Sequence, residues 1–194
     1  MTTTFPCALR LTAMAAAQAC ALVGTGNAWG NPQLPQVIHG SATIAQQGTT
    51  LTVRNSPNSI LNWGSFSIAP HEITRFIQDG VASRVLNRVT GSTPSQLLGQ
   101  LQSNGQVFLV NPNGISVGPN GRIDTQGFVA SSLALGDADF LAGRLRFTAA
   151  NPRMGVNNEG MIRGNGGLIA LVGPSVASSG ALTSPSGQIA LAAG

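Results

Sequence analysis

The chain has neither lysine nor tyrosine, and its two cysteines, Cys7 and Cys20, both fall near the start of its 194 residues. Only 8% of residues are charged and 5% aromatic, while 42% are hydrophobic. That balance excludes the highly charged disordered class. The formal charge of +4 comes from arginines scattered from Arg54 to Arg163 in the body of the chain, without a basic run. With so few rings to stack bases, nucleic-acid binding is a poor reading. The pI of about 11.1 reflects arginine with no lysine or tyrosine to titrate before it. Beyond Cys20 no disulfide framework is available. This suits a chain that must stay unbridged in an oxidising compartment, and equally a β core that needs no bridges. No stretch of useful length shows helical periodicity.

The only long apolar run is amino-terminal. Met1 to Ala28 carries a charge at Arg10, an alanine-rich apolar run from Leu11 to Val23, and small residues at Gly26 and Ala28. It reads as a Sec signal peptide cut after Ala28. The run is too short for a transmembrane helix, and Gln18 departs from a lipoprotein cleavage box at Ala17-Gln18-Ala19-Cys20.

What the chain does have is glycine, 25 residues of it, punctuating short β-forming phrases. From residue 29 to about Thr50 the text is turn-rich and then alternates through His39, Ser41, Thr43 and Ala45 against Ile38, Gly40, Ala42 and Ile44, predicting a capping strand or hairpin. Strands are predicted from Leu51, over Ile60 to Ile68 and over Ile73 to Ile77, broken at Asn55-Ser56-Pro57-Asn58 and Ala69-Pro70. Thr93-Pro94-Ser95-Gln96 resembles a helix start with Leu97, Leu98 and Leu101 on one face. Because Leu97, Gly99 and Leu101 also alternate between flanking strands, a strand is predicted there.

The central phrase is Asn104 to Val117. Val107 to Val110 is a run of β-formers that stops at Asn111-Pro112-Asn113-Gly114, and alternation resumes at Ile115 and Val117. Pro112 presets φ, Asn111 can bond the backbone two residues on, and Asn113-Gly114 tolerate positive φ, so strand, tight turn, strand is expected.

Toward the carboxyl end the text repeats itself. Gly160, Ile162, Gly167, Ile169, Ala170 and Leu171 recur twenty residues later as Gly180, Leu182, Gly187, Ile189, Ala190 and Leu191. The phrase Gly105 to Val110 is echoed by Gly167 to Val172 and by Gly187 to Ala192. A repeat of this length built of β phrases and glycine turns, without the leucine-rich-repeat pattern, indicates a solenoid. The fold class expected is all-β, a right-handed parallel β-helix of about 20 residues per coil, with an amino-terminal cap and extra-helical strands. A single coil cannot offset the entropy of ordering itself and gains stability only by stacking on a finished neighbour. Residues 29–150 are therefore expected to cap the solenoid, supply its first coils and nucleate it, and 151–194 to be regular repeats. The sequence stops at Gly194 inside a repeat, without a polar terminal cap, which predicts a truncated chain.

Enzymes that cleave polysaccharides also use parallel β-helices, so a lyase or hydrolase is the rival reading. The acids Glu72, Asp79, Asp124, Asp137, Asp139 and Glu159 are mostly isolated. Asp137 and Asp139 share a spacing that suits calcium, but a solvated loop pair fits Gly136 and Ala138 better. His39 and His71, far apart and without cysteine, make no zinc site. Gly164-Asn165-Gly166-Gly167 lacks the Lys-Ser/Thr of a phosphate cradle and reads as a solenoid turn. Trp63 and Phe66 read as core aromatics. No catalytic residue, metal or cofactor is expected.

Around the central phrase stand Leu86-Asn87-Arg88-Val89-Thr90-Gly91, Ser95 to Leu101, Gly121-Arg122-Ile123-Asp124 and Gly127 to Leu133. In this order and spacing, from about Val37 to about Val176, the set resembles the amino-terminal domain of two-partner secretion exoproteins, the filamentous-haemagglutinin and high-molecular-weight-adhesin family. The resemblance implies a right-handed parallel β-helix that, after export by the Sec translocon, is recognised in the periplasm by the periplasmic domains of a cognate Omp85-type (TpsB) outer-membrane transporter. It implies cargo at the surface of, or secreted from, a Gram-negative bacterium. An adhesin or haemagglutinin is expected, with a host glycan or receptor met by a region beyond Gly194, although the family also exports haemolysins, contact-dependent toxins and haem-carrier binders. The secretion determinant implied is Asn111, Pro112, Asn113, Gly114 and Ile115, supported by Asn87, Arg88, Val89, Thr90, Asn62 and Trp63. An Asn-Pro-Asn-Leu element before Asn87 is missing, so the pattern is closer to the high-molecular-weight-adhesin branch.

Overall fold

In the computed structural model the residues described are 30–149 and 154–194, so the signal-peptide segment lies outside them. Each β phrase lays down one strand, and the glycine turns pass the chain to the next sheet. The first sheet stacks Thr50–Asn55, Ile73–Ile77, Gln100–Ser103, Arg122–Thr125, Met161–Gly164 and Ala181–Thr183 in parallel. The second stacks Ser59–Trp63, Arg84–Val89, Gln106–Val110, Gly127–Ser131, Leu168–Gly173 and Gln188–Ala193. A third, shorter sheet holds Ser95–Leu97, Ile115–Val117, Val156–Asn158 and Val176–Ser178. Taken in chain order the strands visit first and second sheet, and from the second coil onward the third as well, in turn, which is a parallel β-helix of about six coils. The expected fold is the fold observed.

Inward side chains line up in columns because parallel register preserves the strand's two-residue period. On the first sheet Leu51, Thr74, Leu101, Ile123, Ile162 and Leu182 are stacked partners. On the second, Leu61, Asn87, Leu109, Ala130, Leu171 and Leu191 form another column. One polar side chain, Asn87, therefore stands in an otherwise apolar column. The aromatics of the early coils fill the bore as expected, Trp63 edge-on to Phe66 at 5.7 Å and Phe66 stacked on Phe76 at 6.4 Å between ring centres.

The twenty-residue period holds only at the carboxyl end. The partners Thr50, Ile73, Gln100, Arg122, Met161 and Ala181 are 23, 27, 22, 39 and 20 residues apart. The long step is an insertion between Gly127–Ser131 and Val156–Asn158. It contains an antiparallel pair, Ala134–Leu135 with Phe147–Thr148, and a short helix, Asp137–Leu141. Leu135 and Phe140 lie on the outer face of the second sheet over Ile60, Leu86, Phe108, Val110, Val129 and Ala170. With both faces covered, Gln106–Val110 and Gly127–Ser131 read as continuous apolar runs rather than alternations.

At the amino end Gln36–His39 pairs antiparallel with Ser59–Trp63, and Ala42–Gln47 antiparallel with Thr50–Asn55. Gly40, at φ 76°, turns the chain between them, so the single alternation of His39 to Ala45 becomes two strands on two different sheets. Two other local expectations are corrected. Ile60 to Ile68 is not one strand: it ends at Trp63, and Ile68 makes only an isolated bridge to Leu97. Asp137 and Asp139 are not a solvated loop pair, because they open the short helix and each meets an arginine, Arg88 and Arg144, at 2.7 Å. The strand, tight turn and strand expected around 111–114 are present, and the turn passes the chain from the second sheet to the third.

Candidate functional site

The Asn-Pro-Asn-Gly turn is the corner between the second and third sheets in the third coil. Its backbone closes with the Gly114 N–H donating to the Asn111 carbonyl at 3.0 Å. Within the turn Gly114 takes positive φ, 103°, and Asn113 does not use the tolerance that its type has. A Cβ at Gly114 would stand 2.6 Å from the Cβ of Met154 in the next coil, so the glycine answers to backbone and neighbour together.

Asn111 is fully buried and uses its whole amide. Its Nδ2 donates to the Thr93 carbonyl at 3.0 Å and to Ser95 Oγ at 2.9 Å, one coil back. Its Oδ1 accepts from the backbone N–H and from Nδ2 of Asn113 at 2.9 and 3.0 Å. Asn113 Nδ2 also donates to the Gly91 carbonyl at 2.8 Å. Beyond the turn, Ile115 is buried in the bore, and its N–H donates forward to the Gly155 carbonyl at 3.2 Å. The turn is thereby tied to the coils on both sides. A buried amide left without these partners would cost about 1–3 kcal/mol per orphaned group.

The supporting residues form a second knot in the first two coils. Trp63 Nε1 donates to Asn87 Oδ1 at 2.9 Å in the interior, and Asn87 Nδ2 donates to the Phe108 carbonyl at 3.2 Å. The backbone N–H and hydroxyl of Thr90 both reach the Trp63 carbonyl, at 2.8 and 3.1 Å. Strand alternation sends Arg88 the other way. Its guanidinium donates to the Leu135 carbonyl at 2.8 Å and to Asp137 at 2.7 Å, clamping the insertion onto the second sheet. Val89 is buried, and Asn62 is Arg88's register neighbour, with an Oδ1 that is buried and has no partner.

Of the eleven named residues, the 111–115 turn and the Trp63, Asn87 and Thr90 set are tied into two knots within the first three coils, whereas Arg88 turns out to the insertion and Asn62 Oδ1 has no partner; the partners of the knots were not foreseen. Thr93, Ser95 and Gly91 complete the turn, and Arg84 packs over the Phe140 ring at 5.4 Å beneath the insertion. A polar residue at a bore position was the available signal for Asn87, and the insertion left none beyond its interruption of the repeat.

Among the described residues no three of histidine, cysteine, aspartate or glutamate come together as metal ligands. Asn165 spans the Gly164–Gly167 turn by donating to Asp124 at 2.8 Å and to the Thr125 carbonyl at 3.2 Å.

The family model of the TPS secretion domain matches residues 25–194. The chain belongs to that family. The TPS domain is similar in structure to the HMW1 secretion domain from Haemophilus influenzae, with a TM-score of 0.80 and 37% identity over 84% of this chain and 45% of that one. In sequence it is similar to two Haemophilus influenzae proteins named heme/hemopexin-binding protein. One is 34% identical over 52% of this chain and 11% of its own length, the other 29% over 67% and 14%. The chain therefore spans only about a tenth to a seventh of these relatives. TPS domains work with a TpsB transporter, and the exoproteins that carry them are secreted through the outer membrane.

Proposed function

We propose that this TPS domain delivers an adhesin- or haemagglutinin-type exoprotein to one cognate Omp85-type transporter, whose periplasmic domains recognise it after Sec export, and that it then nucleates β-helix folding outside the cell. The observation that carries the reading is the family match across 25–194. Burial refines it: Asn87, Asn111 and Trp63 are inaccessible in the folded coils, so a transporter that reads these side chains meets the chain before it folds. Once across, the same side chains close the two knots and offer a finished edge on which the next coil stacks. The similarity to heme/hemopexin-binding proteins makes a haem-carrier binder the second reading for the cargo. The enzyme reading has less behind it, since Asp137 and Asp139, the closest acid pair in the sequence, are each engaged by an arginine.

The test is export. A tagged full chain is expressed in a Gram-negative host with and without a cognate transporter, beside Asn113→Ala. Release that requires the transporter and is lost in the variant, with the periplasmic pool intact, is expected. Folding in the periplasm with release indifferent to both changes would overturn the assignment.

A further inference from the structure

The arginines that look scattered along the sequence are not scattered on the molecule. Strand alternation puts Arg54, Arg75, Arg122 and Arg163 on the outward face of the first sheet, between the buried Val53, Phe76, Ile123 and Ile162. All four are exposed, and none joins an ion pair among the described residues. Register places Arg75, Gln102, Asp124 and Arg163 in one outward column and Gln100, Arg122 and Met161 in the next. With about 4.8 Å between neighbouring strands, Arg75 and Arg163 stand about 14 Å apart along the helix axis.

Amides and grooves fill the spaces between these charges. Gln102 accepts from Arg75 Nε at 3.0 Å, holding that guanidinium along the sheet. A groove of about 440 Å³ runs beside Arg75, Gln102, Asn104 and Asp124. Another of about 390 Å³ lies between His71, Glu72, Gln100, Asn120 and Arg122. Three acids border these charges, and each is hydrogen-bonded: Asp124 by Asn165, Glu72 by the Ala69 N–H at 2.9 Å, and Glu159, beside Arg122, by Asn157 at 2.9 Å.

We propose that this outward face binds a linear acidic polysaccharide, its carboxylate or sulfate groups on the arginines and its hydroxyls on Gln100, Asn104, Asp124 and Glu72. Guanidinium forks suit such oxyanions, and a carboxylate, which only accepts hydrogen bonds, is satisfied by sugar hydroxyls. Phosphate polymers offer no comparable donors there, and the face presents no aromatic ring on which bases would stack. A protein partner would look for aromatic anchors and a membrane for an apolar fringe. Among the described residues Met161 is the one large apolar side chain well exposed on this face, and Ile73 and Ile77 beside Arg75 are half-buried. The proposal concerns the folded domain and stands apart from transporter recognition.

The experiment measures binding of the purified, folded full chain to dextran sulfate, polygalacturonate, neutral dextran and oligothymidylate in physiological salt. Binding to an acidic polysaccharide, at least tenfold weaker binding to oligothymidylate and none to neutral dextran are expected. Arg122→Gln with Arg163→Gln should weaken it by roughly 25-fold, taking about fivefold for each exposed charge contact. Glutamine already occupies equivalent positions at 100 and 102, so this pair of changes should leave the melting curve unaltered. Arg144→Gln with Arg146→Gln removes the same charge elsewhere and should leave binding within twofold. Equal losses in the two double variants, equal affinity for oligothymidylate, or no binding to either acidic polysaccharide would overturn the proposal.

Discussion

The first three coils and the last two are built to the same plan and held together differently. Early steps of 22 to 27 residues leave slack at the corners, and that slack is taken up by side chains that bond from coil to coil: Asn111 to Ser95, Asn113 to Gly91, Trp63 to Asn87, Asn31 to Thr74. The final step of 20 residues has no slack. Its bore is aliphatic, and Gln188–Ala193 is exposed along its whole length. Side-chain bonds cross there too, from Asn158 to Ser178 Oγ at 3.1 Å and from Ser184 Oγ to the Gly167 carbonyl at 2.6 Å, but neither side chain serves as many groups as Asn111 does. Nearest-neighbour coupling is the rule for repeat architectures, and here buried amides supplement it, most heavily in the early coils.

The comparison is tested hardest at two buried corner asparagines. Asn111 serves four polar groups in the third coil. Asn158, equally buried, donates to Ser178 Oγ at 3.1 Å and accepts from the Gly160 N–H at 3.2 Å. Asn111→Ala should cost about 3–4 kcal/mol and Asn158→Ala about 1–2 kcal/mol, since orphaned groups set the loss. Urea denaturation of the two variants measures both, and equal costs would break the distinction.

Glycines sharpen the same contrast. Gly114 and Gly166 have nearly equal φ, 103° and 105°, but the nearest atom to an added Cβ is Met154 Cβ at 2.6 Å in one case and Gln126 Nε2 at 3.4 Å in the other. Gly166→Ala carries only the backbone penalty of about 1–2 kcal/mol, and Gly114→Ala adds the clash, reaching about 2–3 kcal/mol. Thermal melts of the pair separate backbone strain from coil-to-coil crowding.

These contrasts also explain how much was legible in the sequence. The solenoid was readable because Ile162, Ile169 and Leu171 recur as Leu182, Ile189 and Leu191 with nothing inserted between them. Register then followed, and the structure pairs those very residues. The early coils were not readable as repeats, because corners of unequal length hide a period even where the strands stack in register. Gly127–Ser131 escaped the echo of Gly105–Val110 for a related reason: in this coil the glycine falls on the strand itself, opposite Gln106. The turn at Asn111 was legible as a turn but not as a corner, since local chemistry fixes the bend while the identity of the next sheet depends on distant strands. The arginine face was invisible, because residues 54, 75, 122 and 163 share a surface only after register is known.

Asn87 asks whether an early-coil bond serves stability or something more. Its column partners are Leu61, Leu109 and Leu171, so Asn87→Leu would make the bore uniform while stranding the Trp63 N–H. The single variant should lose about 1–3 kcal/mol. Adding Trp63→Phe should recover most of it, because removing both partners of a buried bond is nearly neutral. If the double variant folds as expected yet is not exported, Asn87 or Trp63 is read by the transporter as well as by the fold.

The smallest effect belongs to the insertion, which enters the stack between the two regions. The Arg88–Asp137 pair is partly exposed, at 24% and 46% for its side chains, so screening by solvent limits it to about 1 kcal/mol or less. Asp137→Asn should therefore shift the melting temperature by a few degrees at most, and less in high salt. Its larger signature should be local. The Leu135 and Phe140 side chains would lift more often from Phe108 and Val110, and amide exchange should quicken in Asp137–Leu141 while Gln106–Val110, held by strands on both sides, stays protected. Exchange rising together in both segments would mean that the insertion is integral to the second sheet, and the coils beneath it would then owe part of their stability to a cover that the last coil lacks.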